Sequence, residues 1–335
     1  TVGSPRPRLM GPAPVVAAAR LVVRRTLADL PAGATVLVAC SGGADSLALV
    51  AATVFEARTA AWRVVGVTVD HGLQEGSADR AAMVVAQMSD LGVAETAAAR
   101  VVVDAPGLGP EAAARQARYD VLNQMVEHFG AAVCLLGHTL DDQAETVLLG
   151  LTRGAGSRSL AGMRRQFDHF RRPFLDLTRA ETEAICEVEG ISWWSDPHNL
   201  DPGYTRVRVR QRVLPVLEEE LGPGVAATLA RTADQLRLDT DYLDERAELA
   251  LEQVRTDAGL AVTELAELAP AIRSRVLRLA AIEAGAIPAE LFATHVHELD
   301  RLVTDWRGQL GVDLPGHVTA RREQGVLGFF SRPNL

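Results

Sequence analysis

Six residues have the types and spacing of an anion cradle: Ser41-Gly42-Gly43-Ala44-Asp45-Ser46, set between an apolar run and a stretch of helical period. Two glycines let the backbone approach an anion closely. Ser41, Ser46 and the free N–H groups of the helix start from Ala44 can then surround phosphate oxygens. Asp45 would repel bare phosphate, so its presence implies a bridging Mg²⁺ that it helps to hold. The plain alternative is a glycine turn with Asp45 or Ser46 as a helix cap. The 34 basic residues are all arginine, and no lysine occurs anywhere in the chain. A Walker-type loop needs a lysine that reaches the terminal phosphates, so this cradle is of another kind.

A second constellation is His138-Thr139-Leu140-Asp141-Asp142-Gln143-Ala144-Glu145. His138 closes an apolar run and the acids open a helix, where carboxylates also favour the helix dipole. Asp142 and Glu145 are three apart and share a helical face. Capping accounts for one acid but not for three beside Gln143. A third is Glu111-Ala-Ala-Ala-Arg115-Gln-Ala-Arg118-Tyr119, in which Arg115 and Arg118 share a face. They suit a phosphate or RNA backbone, or a solvated face with Tyr119 packed inward. Arginines also cluster at Arg153/Arg158, Arg164/Arg165, Arg171/Arg172 and Arg206/Arg208/Arg210/Arg212. On a helix, Arg206 with Arg210 and Arg208 with Arg212 form adjacent rows suited to phosphate forks. Ion pairing within the chain is the alternative.

These groups need a scaffold. Apolar runs at Thr35–Cys40, Val64–Asp70, Arg100–Asp104 and Ala132–Gly137 alternate with helical stretches. That pattern predicts an α/β fold: a parallel sheet with helices on both faces and ligands at the carboxyl ends of its strands. A further strand–helix unit starts at Phe170. The pattern after about residue 219 is mainly helical, with a short β-like tail at Val312–Phe330. The expected organisation is a lead-in and helix over 1–30, the α/β domain over 31–218, and a smaller helical domain over 219–335.

Composition narrows the classes. The net charge is −9, so nucleic-acid binding must use a local basic surface. Three cysteines, far apart and without paired spacing, exclude a disulfide scaffold and a zinc knuckle and favour a reducing compartment. No apolar run reaches membrane-spanning length. A cytoplasmic protein with no membrane partner is expected.

The Ser-Gly-Gly-x-Asp-Ser string resembles the signature of the N-type (PP-loop) ATP pyrophosphatases, which cleave ATP between its α and β phosphates and activate an oxygen as an adenylate. Within that group, five segments resemble the tRNA(Ile)-lysidine synthetase family: Val69-Asp70-His71-Gly72-Leu73, Glu111–Tyr119, Leu136–Thr146, Leu151–Met163, and the stretch from Arg172-Pro173 through Trp194–Asn199 to Tyr204–Pro215. Asp70, Thr139 and Val207 stand where the family commonly has histidine, histidine and asparagine. The resemblance implies that ATP adenylates the wobble cytidine of an isoleucine tRNA with a CAU anticodon. Free L-lysine then attacks carbon 2 of the ring, giving lysidine, AMP and pyrophosphate.

Carried onto this sequence, the resemblance makes Asp45, Asp142, Glu145 and Arg206 the catalytic group. Ser41, Gly42, Gly43, Ala44, Asp45, Ser46, Asp70, His71 and His138 become the ATP site, with Mg²⁺ on Asp45. Arg115, Arg118, Asp141, Asp142, Gln143, Glu145, Arg153, Arg208 and Arg210 become substrate contacts. Asp142 and Glu145 are the candidates to orient the lysine amine, whose ordinary pKa is about 10.4, and to accept its proton. Another ATP pyrophosphatase, amide-forming or tRNA-thiolating, and a non-catalytic nucleotide-binding module are the alternatives. The sequence leaves the oligomeric state open, a homodimer included.

Overall fold

A computed structural model describes residues 12–70, 76–101, 110–152, 156–196 and 201–331. The helices and strands follow in chain order as α1 (Pro14–Thr26), β1 (Thr35–Ala39), α2 (Ala44–Ala60), β2 (Arg63–Asp70), α3 (Ser77–Asp90), β3 (Glu95–Arg100), α4 (Pro110–Phe129), β4 (Val133–Leu136), α5 (Leu140–Thr152) and α6 (Gly156–Leu160). After them come β5 (Gln166–Phe167), β6 (Phe170–Arg171), α7 (Arg179–Glu189), α8 (Thr205–Arg208), α9 (Leu214–Leu221) and α10 (Val225–Val254). The chain ends with β7 (Arg255–Thr256), β8 (Gly259–Ala261), α11 (Val262–Glu267), α12 (Pro270–Glu283), α13 (Ala293–Thr304), β9 (Val312–Leu314), β10 (Val318–Glu323) and β11 (Val326–Ser331). They form two compact units. One takes in the residues up to Thr146 and Met163–Ala230; the other comprises Val147–Gly162 and Arg231–Leu335.

In the first unit a six-stranded sheet runs β3-β2-β1-β4-β6-β5, parallel except for the β5–β6 pair. Side chains alternate across the pleat, so each strand feeds two cores. Val36 and Val38 pack with Leu47, Val50 and Ile185 on the side of α1, α2 and α7, while Leu37, Val65 and Cys134 pack with Leu122 and Val126 of α4. Helix α2 is buried along most of its length, from Leu47 to Val54 without a break. Each of its fully buried leucines contributes ~1.5–3 kcal/mol.

The third strand is not where the apolar run suggests. It spans Glu95–Arg100 and pairs with β2, whereas Arg100–Asp104 was the expected run and Asp104 lies outside the described residues. The Ala-rich Glu-Thr-Ala-Ala-Ala-Arg stretch has low β propensity. It forms a half-exposed edge strand that only its pairing with β2 specifies.

The sheet reverses direction of travel at β1, whose neighbours are β2 and β4. In open parallel sheets ligands bind at the carboxyl ends of strands beside such a switch point. The loops and helix starts that follow β1 and β4, which carry Ser41–Ser46 and Gly137–Asp142, flank that position.

The second unit packs α10, α12 and α13 with a five-stranded antiparallel sheet, order β7-β8-β11-β10-β9, around Leu251, Leu277, Leu299 and Leu327. Its sheet takes in both the β-like tail and the earlier segment Gly259–Ala261. No helix among the described residues is long and apolar enough to cross a membrane.

Candidate active site

The loop after β1 is built to expose backbone. Gly42 has φ +82°, and a Cβ there would lie 2.6 Å from Val84 Cγ2. Gly43 is the N-cap of α2 and offers no side chain, so neither Asp45 nor Ser46 caps the helix. Instead the Ser46 hydroxyl accepts the Ser41 N–H at 3.1 Å and donates to the Gly43 carbonyl at 2.9 Å, which closes the loop on itself. The Trp194 N–H donates to the Gly42 carbonyl at 3.1 Å, pinning the loop from a distant segment. Gly137 lets β4 pass close by. A Cβ at this position would meet the Asp45 carbonyl and Ser46 Cα, both at 3.1 Å.

Ser41, Gly43, Asp45, Ser46, Asp70, Arg118, Gly137 and His138 line one cavity of about 760 Å³ at the carboxyl end of the sheet. The start of α2, with its unpaired N–H groups, opens onto it and favours an anion. Arg118 has no hydrogen bond or ion pair among the described residues, and desolvation lowers its pKa. Arg115 is exposed and turned onto Tyr119, its guanidinium 5.1 Å from the ring centre.

Burial pushes the Asp45 carboxyl up to about 6, against the pull of a hydrogen bond from Thr182 and the charge of Arg179. Arg179, the first residue of α7, stands among three acids: Nε is 3.7 Å from Asp45, Nη2 3.1 Å from Asp142 and Nη1 3.9 Å from Glu145. Asp141 accepts the Arg179 N–H at 2.8 Å and so marks the start of α7. Asp142 is divided between two tasks. Its Oδ2 accepts the Thr139 N–H at 2.9 Å, as a capping residue does, while Oδ1 faces Arg179 and, at 3.5 Å, Arg210. Burial works against its ionisation, but Arg179, the Thr139 N–H and Arg210 together leave its pKa below the ordinary value. Glu145 is fully buried and takes two hydrogen bonds from Arg210, at 2.6 and 3.1 Å, with Arg206 at 3.7 Å. Burial nevertheless raises its pKa.

Some expected contacts are used internally. Gln143 gives both ends of its amide to the Met163 backbone, at 3.2 and 2.7 Å, and so positions that loop. Arg208 donates to the Pro202 and Gly203 carbonyls at 2.7 and 2.9 Å. Arg206 and Arg210 both turn toward Glu145 rather than outward, and the helix carrying them holds a π turn over Val209–Val213 just before Pro215. Arg165 and Arg171 pair with Asp176 and Asp29, and Arg158 pairs with Asp244. Much of the arginine set among the described residues is thus paired within the chain. His71, Arg153 and Pro197-His198-Asn199 lie outside the described residues.

A model of the PP-loop domain matches residues 19–217, and a model of the TilS substrate binding domain matches residues 260–327. The chain is 54% identical over 320 residues to the tRNA(Ile)-lysidine synthase of Thermobifida fusca (strain YX), with 95% of this chain and 98% of that protein covered. The chain belongs to the tRNA(Ile)-lysidine synthase family. It is also 50% identical over 348 aligned residues to the tRNA(Ile)-lysidine synthase of Streptomyces coelicolor (strain ATCC BAA-471 / A3(2) / M145), covering 95% of this chain and 99% of that one. Among solved structures, the U34-tRNA thiolase NcsA from Methanococcus maripaludis with its 4Fe-4S cluster superposes with a TM-score of 0.56 at 18% identity, covering 66% of this chain and 79% of that one. That likeness shows the fold. In this tRNA(Ile)-lysidine synthase family member Cys40, Cys134 and Cys186 are all buried. Burial raises each thiol, Cys186 to about 12, so none is a thiolate near neutrality.

Two residues of the site, Arg179 and Thr182, are not singled out by the sequence, and Arg172 is marked there only as part of an arginine cluster and a family segment. Arg179 and Thr182 reach Asp45 from α7, and Arg172 reaches His138 from the end of β6. Arg179 and Thr182 fall in the helical part of the strand–helix unit that starts at Phe170. Nothing local marks them.

Proposed function

We propose that the protein uses ATP to join L-lysine to carbon 2 of the wobble cytidine of the CAU-anticodon isoleucine tRNA, through an adenylated tRNA, releasing pyrophosphate and AMP. The observation that carries this reading is the meeting, at one sheet edge, of the Ser41–Ser46 cradle with the Asp142–Glu145 pair, bridged by Arg179. A phosphate site and an amine site in reach of one another are what the two steps require.

In the first step the N–H groups at the start of α2, with Ser41 and Ser46, receive phosphate oxygens, and Arg118 supplies an unpaired positive charge at the cavity wall. Mg²⁺ characteristically binds one or two carboxylates plus substrate phosphates. The single carboxylate of Asp45 beside the cradle fits that mode; among the described residues no cluster of three ligating side chains competes with it. Bound there, the ion would neutralise charge developing on the phosphates. Asp45 would turn from Thr182 and Arg179 to hold it.

In the second step Asp142 and Glu145 would hold the lysine ammonium, which takes the place beside them that Arg179 and Arg210 fill in this structure. A carboxylate whose pKa is raised by burial, as that of Glu145 is, accepts a proton from the attacking amine more readily. The cytidine must be unstacked to be reached, which an anticodon loop permits. The first unit carries this chemistry, and the second contacts the tRNA.

The test is incorporation of labelled lysine into a panel of tRNA transcripts with ATP. Label should enter the CAU-anticodon isoleucine tRNA alone, with AMP and pyrophosphate as products. ADP and orthophosphate as the primary products would remove the assignment.

A further inference from the structure

His138 lines the cavity together with the phosphate cradle, and its ring is engaged by Arg172. Arg172 Nε lies 3.1 Å from His138 Nδ1. A guanidinium can only donate, so Nδ1 must accept, and the single proton of the neutral ring sits on Nε2. That nitrogen has no hydrogen-bond partner among the described residues, on a side chain that lines the cavity.

Arg172 is itself immobilised, and this makes the assignment firm. It is only 4% exposed. Its Nη2 donates to the Tyr119 hydroxyl at 2.9 Å, its Nη1 donates to the Arg164 carbonyl, and its guanidinium lies 4.7 Å from the centre of the Phe167 ring. Tyr119 is held in turn by edge contacts with Phe167 and Phe170. The parallel register that pairs Cys134 with Phe170 and Leu135 with Arg171 brings Arg172 alongside the end of β4. The sheet therefore fixes the pair.

The charged groups around the ring agree. Arg118 and Arg115 from α4 and Arg172 from the end of β6 oppose a second proton, while Asp142 from α5 favours one. Burial is the largest influence, and together these hold the imidazole well below its ordinary pKa. An imidazole so placed keeps one N–H and gains no charge.

We infer that His138 serves the reaction as a neutral Nε2–H donor to an oxygen of the reacting phosphate or cytosine carbonyl, and that Arg172 is the positioning residue that fixes this tautomer. It follows that His138 is not the base that takes the proton from lysine. With Nδ1 already accepting from a guanidinium and Nε2 protonated, the ring has no free lone pair to offer. The same logic keeps proton acceptance on the carboxylates. This inference about the reaction rests on the function proposed above; the tautomer itself does not.

The experiment has two arms. Full-length protein labelled with ¹⁵N at histidine is studied by long-range ¹H–¹⁵N correlation, with His138 identified by the signal missing in His138→Gln. The expected result, with no substrate present, is a bare Nδ1 and a protonated Nε2 from pH 6 to pH 8. An imidazolium or an Nδ1–H form in that range overturns the inference. In single-turnover adenylation with ATP and tRNA transcript, His138→Ala should lose about 10²–10³-fold in rate, as other single donors do. His138→Gln, whose amide nitrogen falls near the position of Nε2, should recover at least about tenfold of that loss, with the wild-type shape of the pH–rate profile. Equal losses in the two variants overturn the donor role. A wild-type protein with the expected tautomer but no adenylation of tRNA would overturn the proposed function, and the donor role with it, leaving only the tautomer.

Discussion

Arg210 grips Glu145 with two hydrogen bonds, Nε to Oε1 at 2.6 Å and Nη2 to Oε2 at 3.1 Å, and Glu145 is wholly shut off from solvent. A buried charge that loses its partner costs far more than the pair was worth. Arg210→Ala should therefore lower stability by about 3–5 kcal/mol, read as a fall in the urea midpoint at unchanged slope. The double variant Glu145→Gln/Arg210→Gln should regain part of it. A loss below about 1 kcal/mol would show that Arg206 and Arg179 compensate alone.

Asp45 links stability to pH. Its carboxyl is raised from 3.8 to about 6 in the folded protein, chiefly by burial. Between those values the folded state holds more protons than the unfolded one, so stability falls as pH rises through that window. The cost is complete above it, at up to about 3 kcal/mol. Without nucleotide and with chelator present, Asp45→Asn should be more stable than wild type at pH 7 and equal to it near pH 4, while adenylation is lost. A less stable Asp45→Asn at pH 7 would show that the carboxylate is held favourably.

Glu145→Gln keeps the shape of the side chain but removes the charge and the proton acceptor. It should leave adenylation largely intact and slow the attack of lysine, so that adenylated tRNA accumulates in single-turnover assays with labelled ATP. Loss of adenylation with unchanged lysine affinity would place the residue with the nucleotide instead.

Gly137→Ala tests how tightly β4 and α2 are fitted. The added methyl would meet backbone atoms of Asp45 and Ser46 at 3.1 Å, and backbone cannot swing away as a side chain can. A cost of about 1–3 kcal/mol and weaker ATP binding are expected, measured by denaturation and by nucleotide titration.

Arg212 is exposed and, among the described residues, has no ion pair or hydrogen bond. Its replacement by alanine should lower the slope of log tRNA affinity against log salt by about 0.7–0.9. Arg171→Ala, which removes a side chain already paired with Asp29, should leave that slope alone.

What could be read beforehand was what sequence neighbours decide. Thr35–Ala39 and Arg63–Asp70 are β-branched apolar runs followed by polar sequence, and they became the central strands. The cradle at Ser41–Ser46 and the acids after His138 were legible because the chemistry lies within a few residues. The strand at Glu95–Arg100 was misplaced because only pairing with β2 specifies it. Thr182 bonds Asp45 across 137 positions, and no local pattern announces such a partner. The partner of Arg206 and Arg210 was hidden for a related reason. Helical spacing fixes which side chains lie together, not whether an acid such as Glu145 waits beneath them.

The hydrogen bond from the Trp194 amide to the Gly42 carbonyl gives the phosphate loop a clock. That amide proton can exchange with solvent deuterium only when the loop and the Ser192–Asp196 stretch part company. Its exchange rate therefore counts how often the cradle opens, and a bound nucleotide that held the loop shut would slow it. Because Trp193 and Trp194 both border the cavity, tryptophan emission would register arrival of the nucleotide while the Trp194 amide registers the loop's freedom. Emission and amide exchange at one short segment thus report occupancy and motion separately.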